Sequence, residues 1–214
     1  MHRGYHSQQG YGLVVTTQVG EHVDGRSERR ERGRVAVLDA VIDLIEEQGA
    51  LPATNAIADR AGVSPASLFR YFDCIDDMQH EATLHHFFRN RDLFDIPEIG
   101  VGTLADRIER LAACRVALHI KTAPVARFGR TRVLEVPYVA DGLRTVRRMN
   151  ANQNRDHFAG ELDSMGPERA EITVAAISAL TSFESWDQLT RDFGHDNKFV
   201  EKCWVEALTK LLGD

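Results

Sequence analysis

Apolar residues recur along this chain with the period of an α-helix rather than with the strict alternation of a half-buried strand. Between residues 28 and 48 they line one side of a predicted helix. That apolar face consists of Val37, Leu38, Val41, Leu44 and Ile45. Gly49 is expected to end this helix. Residues 1–25 are glycine-rich, polar and without a helical period, and we expect them to form an irregular arm.

Two short helices are predicted next, separated by a glycine. Thr54 is expected to cap a helix that ends at Ala61, and Gly62 to end it in the left-handed conformation that only glycine adopts at low cost. Ser64 is expected to cap the following helix, and Pro65 to occupy its first position, where the missing N–H group costs nothing. Each of these boundaries therefore has a local chemical signal.

The rest of the chain predicts further helices and no convincing strand. Asp73 is expected to cap a fourth helix, a linker over residues 74–90, and Pro124 is expected to start a helix of its own. Broad apolar faces predict a strong helix at 167–190 and a last helix at 196–212. The predicted fold is therefore all-α, with a small N-terminal three-helix unit followed by a larger C-terminal helical bundle.

The turn between the two short helices is the first functional signal. A three-residue turn containing glycine, here Gly62-Val63-Ser64, is typical of a helix-turn-helix when it joins two short helices. Val63 would fill the angle between the helices, while Ala58 and Ala61 would let them approach closely. The second helix would then be held outward, with its N-terminal residues free to meet base edges in a major groove of DNA. A merely structural corner between two helices is the alternative interpretation.

Composition narrows the class of protein without fixing its function. The net charge of −6 argues against a chain that is basic throughout, such as a histone-like protein, but residues 26–34 (RSERRERGR) hold five arginines against two glutamates. That run indicates either a local contact with DNA or a solvated helix start. No apolar stretch approaches the ~20 residues of a membrane span. Three scattered cysteines without a CxxC pair indicate buried, reduced thiols in a cytoplasmic protein.

Residues 37–78 (VLDAVIDLIEEQGALPATNAIADRAGVSPASLFRYFDCIDDM) resemble the N-terminal domain of TetR-type transcriptional regulators. Members of that family have a long first helix ending in glycine, an IA-x-x-AGVS core and a recognition helix of the pattern [LI]-[YF]-x-[YH]-F. The resemblance is specific over roughly residues 30–80. It extends loosely to the C-terminus, where SFESWDQL and a final tryptophan-containing helix resemble the dimerisation hairpin of the family.

The resemblance implies where DNA is contacted. In such proteins the start of the second helix contacts phosphate and the recognition helix contacts bases and backbone. The corresponding residues here are Thr54, Asn55, Pro65, Ala66, Ser67, Phe69, Arg70 and Tyr71. Arg70 can bind guanine bidentately, which gives about 1–3 kcal/mol of discrimination, and a phosphate contact is the alternative. Two residues depart from the family pattern: Phe69 lacks the hydroxyl of the usual tyrosine, and Ile75 replaces a usual lysine.

The resemblance also implies the domain organisation. It comprises the arm (1–25), a DNA-binding domain (26–73) and a ligand-binding and dimerisation domain (74–214), whose linking helix (74–90) couples the two. A small-molecule effector that prefers the form unable to bind DNA would shift the population and release the operator. Repression is the commonest mode of action in the family. The identity of the effector is not readable from the sequence.

The C-terminal half supplies candidates for both the dimer and the effector site. The apolar face at 167–190 is wider than one helix can cover, so it is expected to form a four-helix bundle with 196–212 and the same pair of a second chain, on a near-palindromic DNA site. Burial of both helices within a single chain is the alternative. Residues that could line an effector cavity, or be plain core, are His119, Phe128, Tyr138, Met149, Phe158, Phe183 and Trp186. Arg127, Arg130 and Arg132 could pair with an acidic effector or be solvated.

Catalytic chemistry has no support in the sequence. His80, His85 and His86 share a predicted helix, but none are three or four positions apart, as two metal ligands on one helix face would be. No G-x-S-x-G, Walker loop or paired-carboxylate pattern occurs. We therefore expect no catalytic site, no bound metal and no cofactor. A helical ligand-binding or protein-interaction module with weakened or lost DNA affinity is the alternative function, because of the departures at Phe69 and Ile75.

Overall fold

The computed structural model describes residues 25–213, which form eleven α-helices and one π-helical turn. The helices are α1 Gly25–Gln48, α2 Thr54–Ala61, α3 Pro65–Tyr71, α4 Ile75–Arg89, α5 Arg91–Phe94, α6 Leu104–Arg132, α7 Pro137–His157, α8 Ala159–Ser164, α9 Pro167–Leu180, α10 Phe183–Asp187 and α11 Asn197–Leu212, with the π-helical turn at Gln188–Asp192. This range contains no strand, and the all-α prediction is confirmed. The arm predicted at 1–25 lies outside the described residues except for its last one.

The N-terminal unit is a three-helix head built on α1. The predicted apolar face of α1 is buried, and Val37 and Val41 are fully inaccessible to solvent. Ile57 from α2 and Leu68 from α3 pack into the same core, together with Phe72 just beyond α3. Burial of each such side chain contributes roughly 1.5–3 kcal/mol. The two short helices are therefore held by a common core rather than by their own helix propensity.

Glycine and serine set the turns of the head as predicted. Gly49 and Gly62 have left-handed φ values of +64° and +67°. The Ser64 side chain accepts a hydrogen bond from the Ser67 amide, and Pro65 is the first residue of α3. The prediction for Thr54 was wrong: Ala53 is extended and precedes α2, so Thr54 is already helical. Ala53 has no side-chain acceptor, which leaves the start of α2 without a side-chain cap.

The predicted cap of the fourth helix was also wrong. Cys74, not Asp73, precedes α4, and its Sγ accepts a hydrogen bond from the Asp77 amide at 3.4 Å. The Asp77 carboxylate reaches back to the Asp73 amide at 3.2 Å, so the acidic side chain caps from inside the helix instead. Cys74 is exposed, and the expectation of buried thiols is therefore wrong for this cysteine. Cys114 and Cys203 are partly buried, and all three thiols are free.

Helix α6 is one continuous helix, contrary to the expectation that Pro124 begins a new one. Proline inside a helix removes the N–H that would bind the carbonyl four residues earlier. That carbonyl belongs to Ile120, which is about half exposed, so water can satisfy it. Val116 before Pro124 packs in one core, and Val125 and Phe128 after it pack against the core of the head, so tertiary contacts hold both parts of the helix. Thr103 and Asp106 form a capping box at its start.

The strong helix predicted at 167–190 is broken at Thr181 and Ser182. Ser182 is extended, and its side chain caps α10 by accepting a hydrogen bond from the Ser185 amide at 3.1 Å. The break divides the predicted apolar face between two cores. Ile177 packs against Phe158, whereas Trp186 packs beside Trp204 of α11. Within the described range, no helix is long and apolar enough to cross a membrane.

Candidate nucleic-acid interface

The outward side of α3 is the exposed surface of the helix-turn-helix. Leu68 and Phe72 anchor the helix beneath, with only 2% and 3% of their surfaces exposed. The exposed residues on the other side are Pro65, Ala66, Phe69 and Arg70. Phe69 stands out, since 58% of this large apolar side chain meets solvent. Phe69 shares this outward side with Arg70, so the ring would lie beside any DNA that the arginine contacts.

A string of hydrogen bonds links three polar residues along the outward side of α3. Ser64 Oγ and Ser67 Oγ lie 2.9 Å apart, and Arg70 Nη2 donates to Ser67 Oγ at 2.9 Å. These residues follow one another at intervals of three positions, so they occupy neighbouring turns of one face. The Arg70 guanidinium is thus held along the helix by a neutral hydroxyl. A nucleic-acid acceptor can replace that partner without breaking an ion pair.

Tyr71 faces α1 rather than the outward side of α3. Its hydroxyl and ring lie where a side chain at Gly33 would stand, so any Cβ at that position would overlap the tyrosine. Next to it, Arg30 Nη2 donates to the main-chain carbonyl of Arg70 at 3.2 Å. The last turn of α3 is therefore held on α1 from two directions. Sequence reasoning missed this contact, and the signal available was a glycine inside a predicted helix.

The start of α2 carries the other two predicted DNA contacts. Thr54 is partly exposed and Asn55 is exposed. Because Ala53 provides no side-chain cap, the first amide groups of α2 have no side-chain acceptor among the described residues. Amide groups at a helix start favour anions such as phosphate. The start of α2 and the outward side of α3 therefore both belong to the three-helix head.

The arginine run divides into two parts. Arg34 is committed to the protein, because it pairs with Glu81 of α4 and lies over the Phe72 ring at 5.7 Å. The arginines on the first two turns of α1 are exposed, including Arg29 and Arg32. Acidic residues at the start of α4 lie on the other side of α3 in the sequence, and Asp76 is exposed. The exposed arginines of the head's first helix therefore lie beside the exposed carboxylates Glu28 and Glu31 on the same two turns.

The candidate effector residues do not form one cluster. His119, Phe183 and Trp186 pack together, with ring centroids 5.6–6.0 Å apart. Phe158 is fully buried in a separate core, and Met149 is partly buried on α7. Phe128 and Tyr138 line a cavity of about 60 Å³ next to α1. The structure thus distributes the predicted set over several places.

The arginines considered for an acidic effector already have protein partners. Arg127 Nε donates to Asp187 at 2.8 Å, and Arg130 Nε donates to Glu184 at 3.0 Å. Arg130 also lies over the Phe183 ring, 4.0 Å from its centroid. These pairs fasten α10 to α6. They therefore leave no unpaired cation for an acidic ligand at these two positions.

Three histidines are buried in the C-terminal part of the chain. Burial lowers the pKa of His86 and of His119 to about 4 in each case, and it also lowers the pKa of His157. His157 Nδ1 accepts a hydrogen bond from the Gly100 amide, and its Nε2 donates to the Arg107 carbonyl, both at 3.0 Å. The neutral ring is the form that matches both partners. These histidines are structural elements of the bundle.

The remaining histidines do not form a metal site. His80 stacks on Tyr138 with ring centroids 4.5 Å apart, and His85 Nε2 lies 2.9 Å from Asp39 Oδ1. Over residues 25–213, no group of three or more histidine, cysteine or acidic residues could hold a metal ion. The histidines of α4 therefore serve contacts between helices.

Comparisons with known proteins agree with this geometry. Residues 37–82 match the family model described as bacterial regulatory proteins of the tetR family. Two similar solved structures are SCO7518 of Streptomyces coelicolor A3(2), named as a candidate transcriptional regulator, and the transcriptional regulator RHA1_ro04179 of Rhodococcus sp. Rha1. The first is 22% identical, with a TM-score of 0.57, over 87% of this chain and 99% of that one. The second is 20% identical, with a TM-score of 0.58, over 86% and 96%. No curated protein matches the sequence.

Proposed function

We propose that the chain is a homodimeric, TetR-type transcriptional repressor that a small molecule releases from a near-palindromic operator. The match of residues 37–82 to the tetR family model, which covers the helix-turn-helix, supports the proposal. The observation that carries the proposal is the outward side of α3, where Arg70 rests on a neutral serine hydroxyl. Regulators of this family are typically not enzymes. Operator DNA lies in the cytoplasm of bacteria, where the protein would act.

Base reading is assigned to α3 and backbone contact to the surrounding residues. Arg70 would leave Ser67 and bind guanine, while Pro65 and Ala66 are small enough to approach a thymine methyl group. Ser67, Phe69 and the start of α2, with Thr54 and Asn55, would contact the backbone. The proposed phosphate contact of Tyr71 would use its hydroxyl, which is also the group that packs against Gly33. Its packing against Gly33 favours positioning of α3 as its main role.

Dimerisation through α9 and α11 is supported by the surface of α9. Ile172 is 62% exposed, and Ala175 and Ala179 on the same side are exposed as well. Small side chains let helices approach closely, so this face suits another helix. The dimer would place two copies of α3 about 34 Å apart, or a multiple of that distance, on the operator. In this proposal residues 26–73 bind DNA and residues 74–214 bind the effector and the second chain.

The test of DNA binding is a gel shift on the fragment upstream of the protein's own gene. Arg70→Ala removes the guanidinium but keeps the main-chain carbonyl that Arg30 binds, so the fold of the head is retained. We expect affinity to fall by about 5- to 150-fold, which corresponds to about 1–3 kcal/mol. Arg148→Ala, an exposed arginine on α7, is the matched control and should leave affinity unchanged.

The same assay separates base reading from phosphate contact. Losing one phosphate contact reduces the slope of log affinity against log salt by about one, whatever the DNA sequence. Arg29→Ala removes an exposed cation of α1 and should reduce that slope, whereas Arg70→Ala should change preference among operator variants. If the unaltered protein shifts no upstream fragment at any salt concentration, the alternative of a helical module without DNA affinity replaces this proposal.

The dimer is tested by size-exclusion chromatography with light scattering. Ala175→Glu would place a charge in the proposed interface, and we expect a monomer that binds the operator at least about tenfold more weakly. Ala113→Glu, at an exposed alanine of α6, is the control and should stay dimeric. A dimer that survives Ala175→Glu unchanged would place the interface elsewhere.

A further inference from the structure

The cavity beside α1 lies where the DNA-binding head meets the rest of the chain. It measures about 60 Å³ and is lined by α1, α4, α6 and the start of α7. Its walls include Ile42 and Ile45 of α1, Phe128 and Arg132 of α6, and Tyr138 of α7. A larger hollow of about 830 Å³ runs along the outside of α1, but all of its lining comes from that helix and it is open to solvent. Only the first of these two hollows is enclosed by several helices.

The chemistry of this junction cavity is apolar with one unused donor. Most of its wall is aliphatic or aromatic. Arg132 Nε is buried and forms no hydrogen bond in the described part of the chain, although it is ion-paired with Glu135 Oε2 at 3.6 Å. Buried N–H groups are nearly always paired. A small apolar molecule with one hydrogen-bond acceptor would therefore match the cavity.

The head is fastened to one side of this cavity only. Arg34 pairs with Glu81 of α4, and Asp39 Oδ1 lies 2.9 Å from both His85 Nε2 and Arg89 Nη1, so polar contacts join α1 to α4. The contact of α1 with α6 and α7 across the cavity is apolar and incompletely filled. We therefore expect the helices to separate most easily at the boundary that has α1 and α4 on one side and α6 and α7 on the other.

The size of the cavity gives binding a mechanical consequence. A volume of about 60 Å³ exceeds the roughly 10–15 Å³ that holds a water molecule, but it is far below the roughly 300–1,000 Å³ of ordinary small-molecule sites. A ligand of more than a few non-hydrogen atoms must part α1 from α6. Because Arg30 and Gly33 of α1 hold the last turn of α3, that movement displaces the recognition helix.

We propose that this junction cavity is the effector site, that its ligand is a small apolar molecule with one hydrogen-bond acceptor, and that the ligand acts as a wedge between the head and α6–α7. The inference rests on the proposed function for its effect on DNA. It differs from an effector site confined to residues 74–214, whose signal several helices would relay, because the ligand would also touch Ile42 and Ile45 of α1. The closed cavity is then the form that binds the operator.

The test tethers probes of graded size inside the cavity. Val139→Cys places a thiol on the α7 wall in a background in which Cys74, Cys114 and Cys203 are replaced by serine. The thiol is modified with methyl, propyl or benzyl methanethiosulfonate, and modification is verified by mass. We expect the methyl adduct to keep operator affinity within about twofold and the benzyl adduct to lower it by at least about tenfold, within the usual range of coupling between sites.

Two controls separate a wedge from general damage. Gly142→Cys lies on the same helix with open space around its Cβ, so its benzyl adduct should bind the operator normally. Thr83→Cys enters the same cavity from α4 and should repeat the graded loss. Thermal melting checks that each adduct is folded. If folded benzyl adducts at positions 83 and 139 bind DNA as tightly as the methyl adducts, the wedge is overturned.

Hydrogen exchange gives a readout that does not depend on DNA. The benzyl adduct at position 139 should speed amide exchange on the side of α1 that faces the cavity, around Ile42 and Ile45, but not in α9. Unchanged exchange at α1 would overturn the wedge even if the protein binds DNA. Conversely, faster exchange at α1 in a protein that shifts no operator would support the wedge and count against the proposed function.

Discussion

Between residues 25 and 73 the buried side chains are apolar, from Val37 of α1 to Phe72 beneath α3. The remaining described chain encloses polar groups as well, and the buried ones are Gln79, His86, Arg107, Arg115, His119, Thr122, Asn154, His157, Thr173 and Thr181. The head is therefore specified by apolar burial and glycine turns. The larger part depends in addition on matched hydrogen bonds, each of which requires its partner at a fixed place.

This difference teaches where each part is vulnerable. A buried charge is tolerated only with partners that replace water. Arg107 illustrates this, because it binds both carboxylate oxygens of Glu161, at 2.8 and 2.5 Å, and the His157 carbonyl at 2.8 Å. In the head the corresponding arginine–glutamate pair, Arg60 with Glu47, lies at the surface. The same two residue types thus serve as a core contact in one region and as a solvated contact in the other.

Arg107→Met should produce the largest effect. It leaves the Glu161 carboxylate and the His157 carbonyl without their donor, and breaking such a buried pair costs up to about 3–5 kcal/mol. Urea denaturation followed by circular dichroism would measure the lost free energy of unfolding. The double variant Arg107→Met with Glu161→Met should recover much of the loss, because no charge is then left unpaired. An equal loss in both variants would contradict a role for the pair.

Acid should destabilise the C-terminal bundle before it affects the head. The folded pKa of His119 is about 4, whereas the unfolded value is about 6.5, so the unfolded chain takes up a proton first. Its contribution is fully present above pH 6.5 and is lost as the pH falls through 4, at up to about 1.4 kcal/mol per pH unit. His119→Gln keeps a donor for the Thr181 carbonyl and should flatten the pH dependence of the unfolding free energy.

That pH dependence has a matched comparison. His86 and His157 also have lowered pKa values and should add to the slope, whereas Gly142→Ala removes no titratable group and should leave it as in the unaltered protein. A denaturation series between pH 4 and 7.5 would measure all of these variants. An unchanged slope in His119→Gln would show that this histidine is not responsible.

Gly33→Ala is the sharpest test of the apolar head. The new Cβ would overlap the Tyr71 hydroxyl and stand about 2.9 Å from its Cζ, so the tyrosine must move. Overpacking of this kind costs about 1–3 kcal/mol, and operator affinity should fall with it. Adding Tyr71→Leu should restore stability. Gly142→Ala, which meets open space, should instead stabilise its helix by about 0.5–1 kcal/mol.

Arg60→Met should have the smallest effect. The pair with Glu47 has two hydrogen bonds of 2.8 Å, yet 38% and 53% of the two side chains are exposed. Exposed pairs contribute little because water and salt compete for both charges. Chemical denaturation should detect no change relative to the unaltered protein. A loss as large as that of Arg107→Met would remove the distinction between the two regions.

Local chemistry made the head predictable from the sequence. Gly62, Ser64 and Pro65 each act on the residues next to them, so their positions fix the turn and the start of α3. The apolar face of α1 follows from helical spacing alone. The predicted caps at Thr54 and Asp73 were wrong. Helix α2 begins at Thr54 itself, after Ala53, which has no side-chain acceptor. At α4 the Asp77 carboxylate accepts a hydrogen bond from the Asp73 amide.

The C-terminal bundle and the site depend on distant partners, which spacing does not reveal. Pro124 continues a helix because tertiary contacts and hydration of an exposed carbonyl offset the missing N–H. The break at Ser182 had a local signal, because a serine can cap a helix by accepting a hydrogen bond from the amide three residues later, here that of Ser185. The apolar spacing that continues across the break pointed instead to one unbroken helix. The contact between Tyr71 and Gly33 joins positions far apart in the chain. Spacing within single helices carries no information about it.

Helix α1 has two contact sites that matter for function, one toward each end. Its 24 residues span about 36 Å. Positions 41–45 line the cavity, and positions 30–33 contact the last turn of α3. These two sites are about 11 residues, or roughly 17 Å, apart, so a tilt of about 5° about one of them moves the other by about 1.5 Å, which is about half the length of a hydrogen bond. The head therefore acts as a lever, in which a movement too small to disturb the fold is enough to misalign an arginine with its base.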